Sequence, residues 1–263
     1  MYNKILSWWQ SKNIKTSADL AEVLNSNKIS FAYNSSKIEN AKVTYFTTQE
    51  IFEHDKVSSY TGDLRTLYEL HNARIAYDYF LDCFSEKHTL DETFLKNLQK
   101  RLTMNTYDAV IWHKGERTGT YKLGYYVTGK DEIGALPEDV HDEINELLEQ
   151  LREVDNKNAL TAAAYFHVKF ENINPFADGN GRTGRLAMNY FLVLHNHPPI
   201  TIYEEDRNEY FLALEAWDKA QSLEPMQKFL IAQAEKTWVK RITRYKGSTR
   251  QEKSLDDIIK AGC

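Results

Sequence analysis

The 263-residue sequence has few of the residues that cross-link a chain or interrupt a helix. Its 2 cysteines, Cys83 and Cys263, cannot form a disulfide framework, which favours a reducing compartment. The first proline is Pro137, and residues 1–61 and 63–114 contain neither glycine nor proline. Segments that lack these two residues can form long helices.

Other absences limit the class of protein. No apolar run approaches the roughly 18 residues that a membrane span requires, and the first residues lack the charged and apolar regions of a signal peptide. The formal net charge of −5 gives no overall attraction to nucleic acid or to an anionic membrane. We therefore expect a cytoplasmic globular protein that has neither nucleic acid nor a membrane as its partner.

The spacing of apolar residues predicts a mostly α-helical fold. Residues 137–151 place valine, isoleucine and leucine at helical intervals, and residues 159–173 are apolar on nearly every face, as in a central buried helix. Glycines separated by β-favouring residues predict a small hairpin over 119–129. Helical spacing continues over 182–196, 206–221 and 224–242.

The polar segment after the buried helix, DGNGRTGR, has the parts of an anion site. Gly179 and Gly181 allow backbone N–H groups to point outward at the start of a helix, where the helix dipole favours negative charge. Arg182 and Arg185 lie three positions apart and can reach the same anion. Asp178 adds a hard oxygen ligand, and one carboxylate with phosphate oxygens is a usual way to hold Mg²⁺. A glycine-rich connector with surface arginines is the alternative interpretation.

Residues 174–185, NPFADGNGRTGR, resemble the Fic-domain signature HxFx(D/E)GNGRxxR at every fixed position except the first. The resemblance extends over roughly residues 30–235. It implies an all-α Fic fold, a helical bundle with a small β-hairpin flap. It also implies one domain, with N-terminal helices over 1–60, a core over 61–238 and a tail over 239–263. Most Fic proteins transfer AMP from ATP to a hydroxyl group on a protein, and others act as kinases or phosphocholine transferases or remove AMP.

The resemblance implies roles for the motif residues. Asp178 would hold Mg²⁺ on the phosphates of ATP, Arg182 would pair with a phosphate, and Arg185 would reach the γ-phosphate. The backbone of Gly179, Asn180 and Gly181 would form an anion nest together with the Asn180 side chain.

Outside the motif, the resemblance implies contacts with the nucleotide and the target. The flap at 119–129 would align a target segment by strand addition, and Tyr126 would cover the nucleotide or that segment. Tyr210 and Asp218 would lie near the adenine. The partner would be a protein that carries a Ser, Thr or Tyr hydroxyl, or the chain itself. Assembly into a homo-oligomer is a further possibility.

Asn174 is the departure from the signature, which has a histidine base there. An amide has no basic lone pair near neutral pH and cannot take the proton of an attacking hydroxyl. Three interpretations stay open: an engineered inactivating substitution, a natural variant that transfers AMP by another route, and a nucleotide-binding module without chemistry. His167, two helical turns earlier, is interpreted as a structural histidine and not as a substitute base.

Residues 35–40, SSKIEN, fit the family's inhibitory pattern (S/T)xxxE(G/N) through Ser35, Glu39 and Asn40. The resemblance implies an N-terminal inhibitory helix whose Glu39 carboxylate pairs with Arg185. The γ-phosphate would then lose its guanidinium partner. In some relatives the same glutamate orients a water molecule that removes AMP, so the reverse reaction is an alternative.

Overall fold

A computed structural model describes residues 1–58, 60–126 and 134–247. The fold is all-α, as the sequence predicts. In the described ranges the chain forms twelve α-helices: α1 Tyr2–Gln10, α2 Ser17–Leu24, α3 Lys28–Glu39, α4 Tyr45–His54, α5 Leu64–Ser85, α6 Glu92–Thr103, α7 Ala109–His113, α8 Val140–Leu151, α9 Ala159–Ile173, α10 Asn180–Leu194, α11 Arg207–Ala220 and α12 Glu224–Gly247.

Short polar side chains fix where several helices begin. The carboxylates of Asp63 and Asp91 accept hydrogen bonds from backbone N–H groups in the first turns of α5 and α6. Thr16 and Asp19 form a reciprocal capping box at the start of α2. Each such cap satisfies N–H groups that have no partner within the helix, and it contributes about 1 kcal/mol.

Helices α9 and α10 form the centre of the bundle and make the most extensive helix–helix contact. Phe166 and Phe170 of α9 and Tyr190 of α10 are fully buried. The apolar stripe predicted in α8 is buried and faces α9, which confirms this part of the sequence analysis. Helices α6, α5 and α3 cover other sides of α10. The loop between α9 and α10 therefore projects from the most closely packed part of the described chain.

Helix α3 lies against α10 although it is distant in sequence. It packs on α4, α5 and α10, and it buries Ala32, Ser35, Ser36 and Ile38. Two of these four residues are serines, so this face can donate and accept hydrogen bonds. The placement brings the end of α3 next to the first turn of α10.

The hairpin predicted for 119–129 is not found in the part of it that the structure describes. Residues 119–126 form turns without strand pairing, and 127–129 lie outside the described residues. The reason is local, because the backbone N–H groups of Leu123 and Gly124 donate to the Glu116 carboxylate and not to a neighbouring strand.

The C-terminal helix is longer than the sequence indicates. Helix α12 continues to Gly247, so the predicted boundary between core and tail at 238/239 falls inside a helix. Trp238 of this helix is fully buried, and its indole N–H donates to the carbonyl of Pro199. Within the described ranges, no helix has the length and apolar character needed to cross a membrane.

Candidate active site

The loop begins where α9 ends, at Asn174. This residue has φ 50° and ψ 61°, which is the left-handed region, and its N–H donates to the carbonyl of Phe170. Asparagine tolerates this conformation better than most residues, and the following Pro175 cannot continue the helix. Asn174 is 7% exposed, and its side-chain amide makes no hydrogen bond to any described residue. The amide therefore faces the site without a fixed partner.

Asn180 holds the loop in shape. Its side-chain oxygen accepts from the N–H of Phe176 at 2.9 Å, and its side-chain nitrogen donates to the carbonyl of Phe176 at 2.7 Å. The part of this side chain in the predicted anion nest stays a prediction. Both of its polar atoms are used inside the loop, because asparagine readily bonds nearby backbone groups. The second N–H of the side-chain amide and the backbone N–H of Asn180 remain for a ligand.

The first turn of α10 is an uncapped helix N-terminus. Gly179 precedes it with φ 83°, and no side chain caps the helix. The backbone N–H groups of residues 180–182 have no acceptor among the described residues. Beside them, Arg182 is 5% exposed, and its Nε and Nη1 atoms are buried without a hydrogen-bond partner. Unpaired donors of this kind are costly to bury, so the site is arranged for an anion.

Asp178 lies at the edge of this donor cluster. Its Oδ1 accepts from the N–H of Gly179 at 2.6 Å, and it lies 3.4 Å from Nη2 of Arg182. Its Oδ2 accepts from Nη2 of Arg65 at 2.9 Å. The carboxylate thus lies between two guanidinium groups, and its side chain is 24% exposed.

Arg185 is fully buried and makes contacts with α3. Its Nε donates to Oγ of Ser35 at 3.1 Å, and its Nη2 donates to the Ser35 carbonyl and to Oε1 of Glu39, both at 2.8 Å. Burial alone would lower the pKa of Arg185, but the adjacent Glu39 carboxylate raises it above its ordinary value. The guanidinium is thus a permanent cation whose counter-ion is supplied by α3.

The Glu39 carboxylate lies directly over Gly181. A Cβ atom at position 181 would overlap Oε1 of Glu39 and would lie 2.8 Å from Nη1 of Arg185. Only glycine leaves room for this approach at the first turn of α10. The carboxylate therefore occupies space next to the N–H groups that an anion would use.

His167, which is fully buried, and Glu171, whose side chain is 18% exposed, form a titratable pair below Arg185. His167 accepts or donates one hydrogen bond with the Tyr210 hydroxyl at 2.8 Å, and burial lowers its pKa to about 3. Burial raises the pKa of Glu171 to about 8, against the attraction of Arg185. His167 does not line the cleft, and this placement favours a structural role for it. Glu171 does line the cleft and was not identified from the sequence.

The residues before and after the undescribed stretch 127–133 are both hydrogen-bonded to the loop between α9 and α10. The N–H of Lys122 donates to the carbonyl of Pro175 at 2.9 Å, and the N–H of Ala135 donates to the carbonyl of Ile173 at 3.0 Å. Gly134, with φ 70°, allows the close approach, since a Cβ there would meet the Ile173 carbonyl at 2.7 Å. The backbone on either side of Asn174 is therefore fixed by these residues.

Tyr126 is held at the cleft by its hydroxyl group. It donates to Oε1 of Glu116 at 2.9 Å, and burial together with that carboxylate raises the pKa of Tyr126 to about 12. On the opposite side, Asn172 donates to Oδ1 of Asp218 at 2.9 Å. Tyr210 packs under Arg185. Its hydroxyl accepts a hydrogen bond from Nη1 of Arg185 at 3.4 Å and shares another with Nε2 of His167 at 2.8 Å.

These residues meet at one open cleft of about 1260 Å³. All site residues predicted from the sequence line it except Ser35, which touches it only through Arg185: Glu39, Tyr126, Asn174, Asp178, Gly179, Asn180, Gly181, Arg182, Arg185, Tyr210 and Asp218. The arrangement combines two arginines, free backbone N–H donors, the Asp178 carboxylate and aromatic side chains. It suits a ligand with several phosphate groups and a planar ring.

Sequence reasoning missed the residues that support the loop from other helices. Gln99 of α6 donates to the carbonyl of Asp178 at 2.9 Å and accepts from the N–H of Gly119, so it joins the loop to the flap segment. Arg65 of α5 pairs with Asp178, and Glu116 organises residues 123–126. Their positions relative to the motif follow only from tertiary packing.

Comparison with known proteins gives one family. Residues 89–192 match the model of the Fic/DOC family, the family whose signature residues 174–185 resemble. A relative named protein adenylyltransferase Fic from Drosophila persimilis is 40% identical over 75 residues, which is 28% of this chain and 15% of that protein. A relative with the same name from Drosophila grimshawi is 28% identical over 137 residues, which is 52% of this chain and 27% of that protein. The chain thus spans well under a third of the length of these relatives.

Solved structures share the fold over most of the chain. A Fic domain containing signaling protein from Bacteroides thetaiotaomicron superposes with a TM-score of 0.78 and 23% identity, covering 96% of this chain and 99% of that one. Fic-1 from C. elegans superposes with a TM-score of 0.74 and 21% identity, covering 94% of this chain and 73% of that one. At these identities the likeness concerns the fold alone.

Proposed function

We propose that this chain, whose residues 89–192 carry a Fic/DOC-family domain, binds MgATP and transfers AMP to a hydroxyl group of a protein. The observation that supports this most directly is the set of unpaired donors around the loop. Nε and Nη1 of Arg182 and the backbone N–H groups of residues 180–182 have no hydrogen-bond acceptor among the described residues, although Arg182 also forms ion pairs with Asp178 and Glu69. A polyphosphate would satisfy all of them at once.

The arrangement of the donors suggests how ATP would lie. The α- and β-phosphates would rest on the N–H groups of residues 180–182, with Arg182 as their cation. The γ-phosphate would reach Arg185, which lies one helical turn further along α10. The adenine would extend toward Tyr210 and Asp218, which line the same cleft.

The donor set near Asp178 fits a magnesium ion that is carried by the nucleotide. The described residues contain no group of three or more His, Cys, Asp or Glu side chains that could hold a metal by themselves. A single carboxylate together with phosphate oxygens is the usual ligand set for Mg²⁺. When bound there, the ion would offset the charge that develops on the phosphates.

In the proposed reaction the oxygen of a target hydroxyl attacks the α-phosphorus of ATP. A new P–O bond to the target forms, the bond to the β-phosphate oxygen breaks, and pyrophosphate leaves. The hydroxyl proton must be removed, and the amide of Asn174 is not a base. Positioning and phosphate binding would remain, so the chain with Asn174 should bind ATP well and transfer AMP slowly. Loss of a general base typically costs ~10²–10⁴-fold in rate.

The target would lie along residues 119–126 of the predicted flap. This segment is bonded to the carbonyl of Pro175 and so is fixed next to Asn174. An extended target peptide could add to its backbone and place a Ser, Thr or Tyr hydroxyl in line with the α-phosphate. The target would be another protein or a second copy of this chain.

Glu39 would keep the enzyme inactive. Its carboxylate takes the Nη2 position on Arg185 and covers Gly181. ATP could then bind only with its γ-phosphate displaced, which misaligns the α-phosphate for attack. Release of the end of α3 would restore the phosphate site.

Two other functions are supported by single observations. Because Asn174 lacks basicity, the chain could be a nucleotide-binding module that performs no chemistry. Because the Glu39 side chain is 39% exposed beside the cleft, it could orient a water molecule that removes AMP from a modified protein. Each would use the same phosphate site.

One experiment separates these functions. The chain and its Asn174→His, Glu39→Gly and doubly substituted variants are incubated with α-labelled or γ-labelled ATP. We expect protein labelling from the α-phosphate once histidine is present, and most in the double variant. Labelling from the γ-phosphate would indicate a kinase. ATP binding without labelling in any variant would favour the binding module, and loss of label from a protein already carrying AMP would favour the remover.

A further inference from the structure

Asp178, the carboxylate assigned to the magnesium ion, already has a cationic partner. Nη2 of Arg65 lies 2.9 Å from its Oδ2, and Arg65 comes from α5, outside the motif. The contact places a guanidinium on the side of the carboxylate that is directed away from the Gly179 N–H and Arg182, which both contact Oδ1. Oδ2 is therefore the oxygen that a metal ion would need, and it is occupied.

Arg65 is held at this position by α5 itself and by the end of α3. Its Nε donates to Oε1 of Glu69 at 3.1 Å. The second oxygen of Glu69 accepts from the side-chain nitrogen of Asn40 at 2.7 Å, and Asn40 also donates to Thr66 at 2.9 Å. Asn40 directly follows Glu39. The same helix end that places Glu39 on Arg185 thus also supports the partner of Asp178.

The two arginines next to Asp178 differ in their freedom to move. The Arg182 side chain is 5% exposed and cannot leave without opening the core, whereas the Arg65 side chain is 47% exposed. An arginine that is half in solvent can rotate away at little cost, because exposed ion pairs are worth only about 0.2–1 kcal/mol. Arg182 is therefore a permanent part of the site, and Arg65 is removable.

We propose that Arg65 is a displaceable counter-ion of Asp178 that competes with the nucleotide-bound divalent cation for this carboxylate. The inference rests on the proposed function, since it assigns the cation to Asp178. A Mg²⁺ ion binds oxygen at about 2.0–2.1 Å. A guanidinium nitrogen at 2.9 Å from the same oxygen would then face the ion at close range, and both are positively charged. Arg65 must leave Asp178 when the metal-loaded nucleotide enters.

A phosphate-binding role for Arg65 would give a different result from competition with the metal ion. If Arg65 instead served as a third phosphate-binding cation, its removal would weaken nucleotide binding with or without metal. Competition for Asp178 predicts tighter metal binding and unchanged metal-free nucleotide binding. The two roles therefore differ in the sign of the effect on metal affinity.

The test measures Mn²⁺ affinity by titration calorimetry or by the electron paramagnetic resonance signal of free Mn²⁺, with ADP present. It is made in the Glu39→Gly variant, where nucleotide binding is unopposed. We expect Arg65→Gln to tighten Mn²⁺ binding about two- to fivefold, the equivalent of the pair energy above. ADP affinity without metal should not change. The matched control is Arg74→Gln, which removes an arginine of the same helix whose ion pair is with Asp55, away from the cleft.

Each other result counts against the inference. Unchanged Mn²⁺ affinity in Arg65→Gln, or an equal gain in Arg74→Gln, would show that Arg65 does not compete for the metal. Weaker ADP binding without metal would assign Arg65 to the phosphates. The Asp178→Asn variant distinguishes the inference from its premise. If Asp178→Asn abolishes Mn²⁺ binding and Arg65→Gln has no effect, the inference fails while the metal site stands. If Asp178→Asn binds Mn²⁺ normally, both fail.

Discussion

Replacement of Glu39 by glycine should increase the affinity of the chain for ATP. The Glu39 carboxylate accepts a hydrogen bond from Nη2 of Arg185 at 2.8 Å, and it covers Gly181 at the first turn of α10. A nucleotide that places its γ-phosphate on Arg185 must first displace this carboxylate. The glycine variant has nothing to displace, so the same contacts with ATP give tighter binding.

The size of the effect follows from the contact that is lost. A hydrogen bond to a charged group contributes about 1.5–3 kcal/mol. The Arg185 side chain is buried, but the Glu39 side chain is 39% exposed, so solvent screens the pair and reduces this value to about 1–2 kcal/mol. We therefore expect ATP to bind about 5- to 30-fold more tightly to Glu39→Gly, since 1.4 kcal/mol corresponds to tenfold.

Titration calorimetry with MgATP measures this difference directly. The matched control is Glu53→Gly, because Glu53 also lies near the C-terminal end of a surface helix and its side chain is 40% exposed. It has no contact with the cleft, and its replacement should leave ATP affinity unchanged. Glu39→Gln keeps the hydrogen-bonding oxygen and loses the charge. Its affinity for ATP should therefore lie between that of the original chain and that of the glycine variant.

The reasoning would be refuted if Glu39→Gly and the original chain bound MgATP with the same affinity while both were folded. It would also be refuted if Glu53→Gly produced the same gain, because the effect would then come from a loosened helix end. A melting curve for each variant establishes that the comparison is made between folded proteins.

Three further predictions concern the loop and the titratable pair. Asn174→His should raise the rate of AMP transfer ~10²–10⁴-fold in a labelling assay with α-labelled ATP, and an unchanged rate would show that the missing base is not the limitation. Asn180→Ala loses both hydrogen bonds to the Phe176 backbone and should lower the free energy of unfolding by about 1–3 kcal/mol in urea titrations; a change near zero would contradict its role in the loop. The pKa of Glu171 is raised from 4.5 to about 8 in the folded chain. Its protonated form is thus favoured by folding, and the associated stability is present below pH 4.5 and is lost as the pH rises through 8. Urea titrations at pH 5 and 8 should show a smaller stability loss for Glu171→Gln than for the original chain, by at most about 4 kcal/mol; identical pH dependence would contradict the raised pKa.

The sequence predicted the central helices and the loop because their signals are local. The apolar stripe of α8 and the uniformly apolar α9 follow from periodicity within a single segment. The loop residues are contiguous in the chain, so their convergence on one cleft needs no long-range information. The pairing of Glu39 with Arg185 spans the chain, and it was available only through the resemblance to a family with that pattern.

The remaining contacts depend on packing that the sequence does not encode locally. Arg65 and Gln99 come from α5 and α6, and neither stands in a motif that connects it to Asp178. The hairpin prediction relied on β-favouring residues between glycines. It could not anticipate that the buried Glu116 carboxylate would take the N–H groups of residues 123 and 124. For Asn180, the motif indicated an important side-chain amide, but it did not predict that this amide bonds to the backbone of Phe176.

The left-handed backbone at Asn174 restricts which amino acids can be compared at this position. Asparagine and histidine are both enriched in that region, and glycine adopts it freely. Exchange between an amide and an imidazole there needs one nucleotide change in the codon and no rearrangement of the chain. Alanine, the usual choice for removing a side chain, would add backbone strain to the loss of the head group. Histidine and glycine are therefore the substitutions that separate chemistry from conformation at the end of α9.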